Sequence, residues 1–514
     1  MHSINSASSA SRQGYSRPAP TSAAPGTGIA IRARFDSESY SYQYSFSQEL
    51  LDEWEWSEHF SGQPDIERYL HFVADKFDLK RDIECNARVA GVIYNEADKL
   101  WEIETHNGLR ARARYVLCAT GLLSAHQFPD YEGVADFAAL SLHSARWPKE
   151  PVDFTGKRLG IIGSGPTGVQ IIQSIAADCK QLTVFQRTAN WCTPLRNRPI
   201  TAEEQWAHKE KAHDIFALCK RTWAGFIHEP DERDAMDVPK EERWARYQEL
   251  YDRGGFSLWL GNYSDSFTSK EAADEVAEFL AEKIRERVTD PVMAEKLIPK
   301  HIFGTKRCPG EKNYYESFNR DNVGLVDLRE TPITKITPNG TETGDDLHEL
   351  EVIIYATGFH SLTGELLRMD IRGQHGRSLQ EHWSDGPRTN LGIQFSGFPN
   401  LWAIMGPHNP AVFCNITFCV ENDVEWIVDC LRYMRENGYE TMTTTTEAEE
   451  AWTERCYESA KSLLINDMQD SWFFGSTNPE NVRGRFLLFA GGVPLYRDIF
   501  ANIAAKGYEG FDLS

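Results

Sequence analysis

Gly163, Gly165 and Gly168 form a G-x-G-x-x-G array between the apolar run Arg158–Ile162 and a helix-period run at 169–177. A second short apolar run, 182–185, follows. Strand, glycine turn, helix and strand in that order describe a parallel βαβ unit that takes a dinucleotide. Gly163 permits the tight turn, Gly165 lets backbone approach a pyrophosphate, and Gly168 lets helix and strand pack closely. The amides at the start of the helix then face the phosphates, with Ser164 and Thr167 in the same loop. A glycine-rich turn with no ligand is the bland alternative, and the complete strand–helix–strand context weighs against it.

The end of the second strand selects the nucleotide. An acidic residue there would bind the ribose 2′-hydroxyl of NAD, but the chain has Gln186, Arg187 and Thr188. Arg187 suits a 2′-phosphate, so NADP(H) is expected. A solvated arginine is the competing reading, and it leaves the missing carboxylate unexplained.

At 514 residues the chain exceeds one ordinary core, and two or three domains are expected. A formal net charge of −22 argues against nucleic-acid or anionic-membrane partners, which would be repelled. No run approaches the roughly 20 apolar residues of a membrane span, and the first residues lack a secretory pattern. Ten cysteines without a C-x-x-C pair read as free thiols in a reducing compartment, with no metal site. A cytoplasmic enzyme is the expectation.

Along the chain, residues 1–28 are rich in Ser, Ala and Pro and are expected to be a disordered tail. Helices are expected near 48–56 and from Pro64, the latter with Ile66, Tyr69, Leu70, Val73 and Phe77 on one face. Residues 196–300 read as a helical subdomain; Thr268 and Glu271 suggest a capping box ahead of Ala272, Val276, Phe279, Leu280, Ile284 and Val288. Two Ala-Thr-Gly turns, at 119–121 and 356–358, close strand-like runs and form the nearest thing to an internal repeat.

Phe137, His143 and Trp147-Pro148 stand at the spacing F-x-x-x-x-x-H-x-x-x-W-P, directly upstream of the glycine loop. This resembles the Baeyer–Villiger monooxygenase fingerprint, F-x-G-x-x-x-H-x-x-x-W-[PD], with Ala139 in place of the glycine. Trp147 favours that branch over the N- and S-oxidising flavin monooxygenases, which end the pattern in Tyr or Phe. The resemblance runs from about Ala33 to Phe511. It includes both Ala-Thr-Gly turns, Lys306-Arg307, and Asp36 with its neighbours.

The resemblance implies an α/β fold of two dinucleotide-binding-type three-layer domains with a helical insertion. An FAD-type domain would occupy 29–150 and 351–514, and an NADP domain 151–195 and 301–350. It implies FAD and NADPH as cofactors and a ketone and O₂ as substrates. Arg307 would stabilise the anionic peroxyflavin, oriented by Asp36; Lys306 and Thr188 would join Arg187 on the 2′-phosphate. Phe137, His143 and Trp147 would couple domain movements. Asp36 as a turn cap, Lys306 and Arg307 as surface cations, and His143 as a satisfied core histidine are the corresponding bland readings.

Members of that family begin with a first βαβ unit that holds the ADP half of FAD. No G-x-G-x-x-G precedes Gly163 here, so the FAD-type domain is expected to be incomplete at its N-terminus. The function expected is insertion of one oxygen from O₂ beside a ketone carbonyl, within fungal polyketide secondary metabolism of the aflatoxin and sterigmatocystin kind. An N/S-oxidising flavin monooxygenase and a non-catalytic NADP-binding protein are the alternatives.

Overall fold

The computed structural model describes residues 33–468, 470–479 and 482–514; the expected tail lies outside them. Five parallel strands make the larger sheet, in the spatial order Val323–Asp327, Gln181–Gln186, Arg158–Ile162, Val352–Tyr355 and Leu140–His143. Parallel strands covered on both faces need near-continuous apolar runs, and Arg158–Ile162 and Val352–Tyr355 supply them. Leu142, Leu159, Ile161, Val184 and Ile354 point into one core, shared with the helix Pro166–Ile175 and with the helical insert. Ile162, Phe185, Ile353 and Tyr355 point the other way, to Phe137, Ile333 and Ile336. There an antiparallel meander, Ile333–Thr337, Gly340–Thr343 and Asp346–Glu349, forms the third layer.

The divisions expected at 150/151 and 350/351 fall between strands of this one sheet. Leu140–His143 and Val352–Tyr355, expected in the FAD-type segments, pair with each other, and the latter pairs with Arg158–Ile162. The chain thus crosses between its two α/β regions before Leu140–His143, after Val116–Cys118, and crosses back after Val352–Tyr355.

Helices Ala202–Glu210, Ala212–Arg221, Lys240–Arg253, Ser257–Leu260, Lys270–Arg287 and Pro291–Leu297 build the insert. The cap of Lys270–Arg287 is Ser269, whose Oγ accepts from the Ala272 amide, one residue later than expected. Thr268 is unavailable for that role, because its hydroxyl donates to the Asp265 carbonyl in the preceding turn. The apolar face is as expected, with Ala272, Val276, Phe279, Leu280, Ile284 and Val288 all buried. The helix Gln63–Lys76 carries Pro64 in its first turn and buries Tyr69 and Val73. Phe77, just past its end, is instead 39% exposed beside Phe46.

In the second α/β region, Val116–Cys118 and Leu401–Ala403 pair in parallel as a two-stranded sheet, and Asp370–Arg372 pairs in parallel with Val89–Asn95 at the edge of a four-stranded mixed sheet. Leu117, at mid-strand, is 42% exposed. The reading of all ten cysteines as free thiols is corrected at one place: Cys414 and Cys419 form a disulfide. As the chain enters the helix Ile416–Asn437 it brings their Cα atoms to 6.4 Å, within bridging range. The other eight are unpaired.

Asp423 sits at the centre of the C-terminal core. It accepts from the Met405 amide (3.1 Å), Asn409 Nδ2 (3.0 Å) and the Tyr496 hydroxyl (3.2 Å). These bonds hold a stretch in which Met405, His408 and Ala411 adopt positive φ of 55, 67 and 40°, a conformation costly for non-glycine residues. Burial pushes the Asp423 carboxyl up to about 7. Between about pH 4 and that value, the folded state keeps a proton that the unfolded state has lost, so stability falls as pH rises. We expect the melting temperature of the wild type to drop more steeply across this window than that of Asp423→Asn. Parallel pH profiles for the two proteins would contradict this.

Candidate nucleotide cleft and active site

All five strands of the larger sheet run the same way, so their carboxyl ends share one edge, where α/β sheets place their ligands. His143, Gly163, Arg187, Asp327 and Ala356 lie at or just beyond those ends. The three glycines of the loop have three distinct environments. Gly163 has φ of 108°, and a Cβ on it would lie 2.5 Å from the Ala356 carbonyl oxygen. A Cβ on Gly168 would lie 2.2 Å from the Gly163 carbonyl oxygen, so the helix could not pack as it does. A Cβ on Gly165 would meet nothing within 4 Å. Open space at the second glycine, in front of the amides of Pro166–Ile175, is the shape a pyrophosphate requires. Ser164 is buried, and its hydroxyl donates to the Thr188 carbonyl (2.9 Å), tying the loop to the next strand end. Thr167 lies half-buried in the first turn of the helix.

Gln186, at the position of an NAD-binding acid, is fully buried and donates to the Lys296 carbonyl (2.8 Å), so its amide serves the helical insert. Arg187 is exposed, and Lys306 is half-buried. Burial pushes the Lys306 ammonium below its ordinary range; Asp470 opposes this, while Arg187 and Arg329 add to it. Cations gathered within reach of one another, two of them without an ion-pair partner among the described residues, are disposed to receive a multiply charged anion.

Arg307, next in the chain, turns the opposite way and binds Asp36, 271 residues distant. The Asp36 carboxylate is fully buried, and it also accepts from the Gly310 amide (3.1 Å) and from Gln170 (3.5 Å). Burial pushes its carboxyl above the usual range, against the pull of Arg307. Burial also disfavours the Arg307 charge, but Asp36 holds the guanidinium above its ordinary range. Arg307 lies over the Phe256 ring at 5.7 Å and keeps a buried Nε without a partner. Asn190 fixes the Arg307 backbone by donating to its carbonyl (3.2 Å). Gln170, Asn190, Phe256 and Arg329 were not identified from the sequence. Gln170 carried a signal, being a polar residue on the buried face of the loop's own helix; the others come from distant segments.

His143 is 3% exposed, with both ring nitrogens engaged. Nε2 pairs with the Gln127 carbonyl (3.1 Å), and Nδ1 accepts from the Ala145 amide (3.1 Å). Burial lowers its pKa, so it is a neutral structural histidine, not an acid–base group. Thr357, of the second Ala-Thr-Gly turn, donates to the same Gln127 carbonyl (2.6 Å). The Gln127 amide in turn donates to Gly358 (3.1 Å). Phe137 packs into the core on the meander side, and Trp147 lies 6.0 Å from the Phe154 ring. Ala139 does not adopt positive φ, so alanine satisfies the position where the fingerprint has glycine.

An open glycine loop, unpaired cations at the next strand end and a buried Asp–Arg pair across the cleft define a pyridine-nucleotide oxidoreductase. The family model for pyridine nucleotide-disulphide oxidoreductases matches residues 34–222. The 2-oxo-Δ³-4,5,5-trimethylcyclopentenylacetyl-CoA monooxygenase of Pseudomonas putida is 44% identical over 473 residues, spanning 90% of this chain and 87% of the relative. A Baeyer–Villiger monooxygenase of Pseudooceanicola batsensis is 38% identical, spanning 90% and 84%. A crystal structure of OTEMO in complex with FAD and NADP superposes with a TM-score of 0.91 at 43% identity, covering 96% of this chain and 94% of that one. The chain belongs to the Baeyer–Villiger monooxygenases, flavin-dependent enzymes of the oxidoreductase class.

Substitution separates the structural glycine from the ligand-facing one. Gly168→Ala is expected to destabilise by about 1–3 kcal/mol through overpacking against backbone. Gly165→Ala is expected to melt with the wild type yet lose NADP⁺ affinity by calorimetry. Equal melting loss in both would refute the distinction.

Proposed function

We propose that this protein is an FAD- and NADPH-dependent monooxygenase that inserts one oxygen atom of O₂ beside a ketone carbonyl, giving an ester or lactone. The observation that carries the reading is the divergence of Lys306 and Arg307, adjacent residues that serve the two halves of one cleft. NADP(H) fits the residues present: the space at Gly165 admits a pyrophosphate, and neither Arg187 nor Lys306 forms an ion pair among the described residues, although Asp470 acts on Lys306 from a distance. The flavin ring fits at Arg307, whose buried Nε is unpartnered, but no second glycine loop among the described residues receives the ADP half of FAD. No residue is assigned there.

When bound, FAD supplies the chemistry of taking a hydride from NADPH and activating O₂ for transfer to the ketone. Gly163, Ser164, Gly165, Thr167 and Gly168 hold the pyrophosphate, and Arg187, Thr188 and Lys306 hold the 2′-phosphate. Arg307 is a fixed cation facing the negative charge that develops as oxygen adds to the carbonyl, and Asp36 fixes its direction. Phe137, His143 and Trp147 join the two α/β regions and take no proton. The substrate is a ketone, with polyketide-derived ketones of fungal secondary metabolism in the proposed range. A cytoplasmic location belongs to the same proposal, supported by eight unpaired cysteines and by the lack, among the described residues, of a helix long and apolar enough to cross a membrane.

Purified protein should be yellow, or take up added FAD, and should oxidise NADPH faster when a ketone is present, with lactone or ester as product. Arg307→Ala should lower kcat by about 10²–10³-fold, the cost of removing one fixed oxyanion donor. Arg187→Ala should raise KM for NADPH with kcat little changed. Sulfoxide as the sole product from paired ketone and thioether substrates would place the enzyme in the heteroatom-oxidising branch. NADP⁺ binding with no flavin uptake would make it non-catalytic. A lactone from an aliphatic cyclic ketone but none from an anthraquinone-type ketone would overturn the polyketide assignment alone.

A further inference from the structure

Gln186 leaves the nucleotide strand without its acid, yet a carboxylate stands one strand over. Asp327 ends the edge strand Val323–Asp327, and its register partner across the sheet is Gln186. The Leu328 amide donates to the Gln186 carbonyl (2.8 Å), so the turn after Asp327 lies beside Arg187. That turn is tight: the Glu330 and Thr331 amides both donate to the Asp327 carbonyl, at 3.0 and 2.9 Å. Asp327 is 8% exposed, and its carboxylate accepts from the Arg329 amide (3.0 Å) and from Arg329 Nε (3.4 Å). Only Nε of the Arg329 guanidinium is engaged among the described residues, and the side chain is 45% exposed. Its charge, like that of Arg187, is felt at Lys306.

We propose that Asp327 and Arg329 set the preference for NADP(H) over NAD(H), with Arg329 as the specificity-determining residue; the inference rests on the assignment of the 2′-phosphate to Arg187 and Lys306. An unneutralised carboxylate at this strand end would repel a 2′-phosphate and suit a 2′-hydroxyl. Arg329 cancels that charge through Nε, and its remaining N–H groups are left to meet phosphate oxygens. The site therefore carries an NAD-type acid that an arginine two residues later converts to an NADP-type cation.

The test is calorimetry on the full chain with two probes, adenosine 2′,5′-bisphosphate and ADP, which need neither flavin nor turnover. Arg329→Gln is expected to weaken the bisphosphate about tenfold, the scale of one lost charge-assisted hydrogen bond, and to leave ADP unchanged. Asp327→Asn in the same chain should restore most of that loss, and Arg329→Lys should retain most of the affinity. Wild-type affinity in Arg329→Gln, with binding lost in Arg187→Ala, would overturn this inference and leave the 2′-phosphate assignment standing. Equal loss for both probes would also overturn it, because selectivity would not be involved. Unchanged bisphosphate binding in Arg187→Ala would remove the assignment itself, and this inference with it.

Discussion

The fully buried carboxylate of Asp36 is the constraint on which the cleft depends. A carboxylate without water needs a cation and backbone donors, and the chain supplies them from 271 and 274 residues away, in Arg307 and the Gly310 amide. Meeting that need draws the 307–310 segment against the start of the described chain and against the helix Pro166–Ile175, through Gln170. The position of the guanidinium follows from this electrostatic requirement, and its Nε is left buried and unpartnered. Removing either partner would leave an isolated buried charge, so the pair is stable only as a pair.

Once Arg307 is committed to Asp36, Lys306 must leave the backbone in another direction. That direction is the carboxyl edge of the parallel sheet, where Arg187 and Arg329 already stand. Three like charges close together raise the energy of the empty cleft, and an arriving phosphate would lower it. One dipeptide therefore joins the cations at the sheet edge to the buried Asp36–Arg307 pair. The insert supports both halves: Phe256 lies under the Arg307 guanidinium, and Lys296 accepts from Gln186.

The glycine loop was legible in the sequence because its requirements are local. Gly163 and Gly168 each answer a contact within a few residues or with the adjoining strand, and these close approaches are the ones their spacing implies. The absence of an acid at Gln186 was legible for the same reason. Strand membership was not, since Leu140–His143 and Val352–Tyr355 are short apolar runs and nothing in either names its partner across the chain. The cap of Lys270–Arg287 slipped by one residue because Thr268 and Ser269 are equally good candidates until Asp265 occupies one of them. The Cys414–Cys419 bridge was invisible because spacing alone does not show a chain turning into a helix. Asn190 and Phe256 escaped notice since their partner, Arg307, comes from another segment, and Arg329 because only strand pairing brings its turn beside Gln186.

His143 shows how a fingerprint residue can matter without touching the chemistry. Its two nitrogens are consumed by the Gln127 carbonyl and the Ala145 amide, so it has no proton to give in the cleft. Gln127 is also bonded by Thr357 and donates to Gly358, which places the histidine beside the second of the two Ala-Thr-Gly turns. Those turns are the points at which the chain passes between its α/β regions. Positive φ at Gly121 and Gly358, 79 and 87°, lets each crossing be sharp. The His143 ring ties the Gln127 segment to the end of Leu140–His143. Phe137 and Trp147 of the same spacing pack on the larger-sheet side, against Ile336 and Phe154, while Asp36 and Arg307 form a separate buried pair.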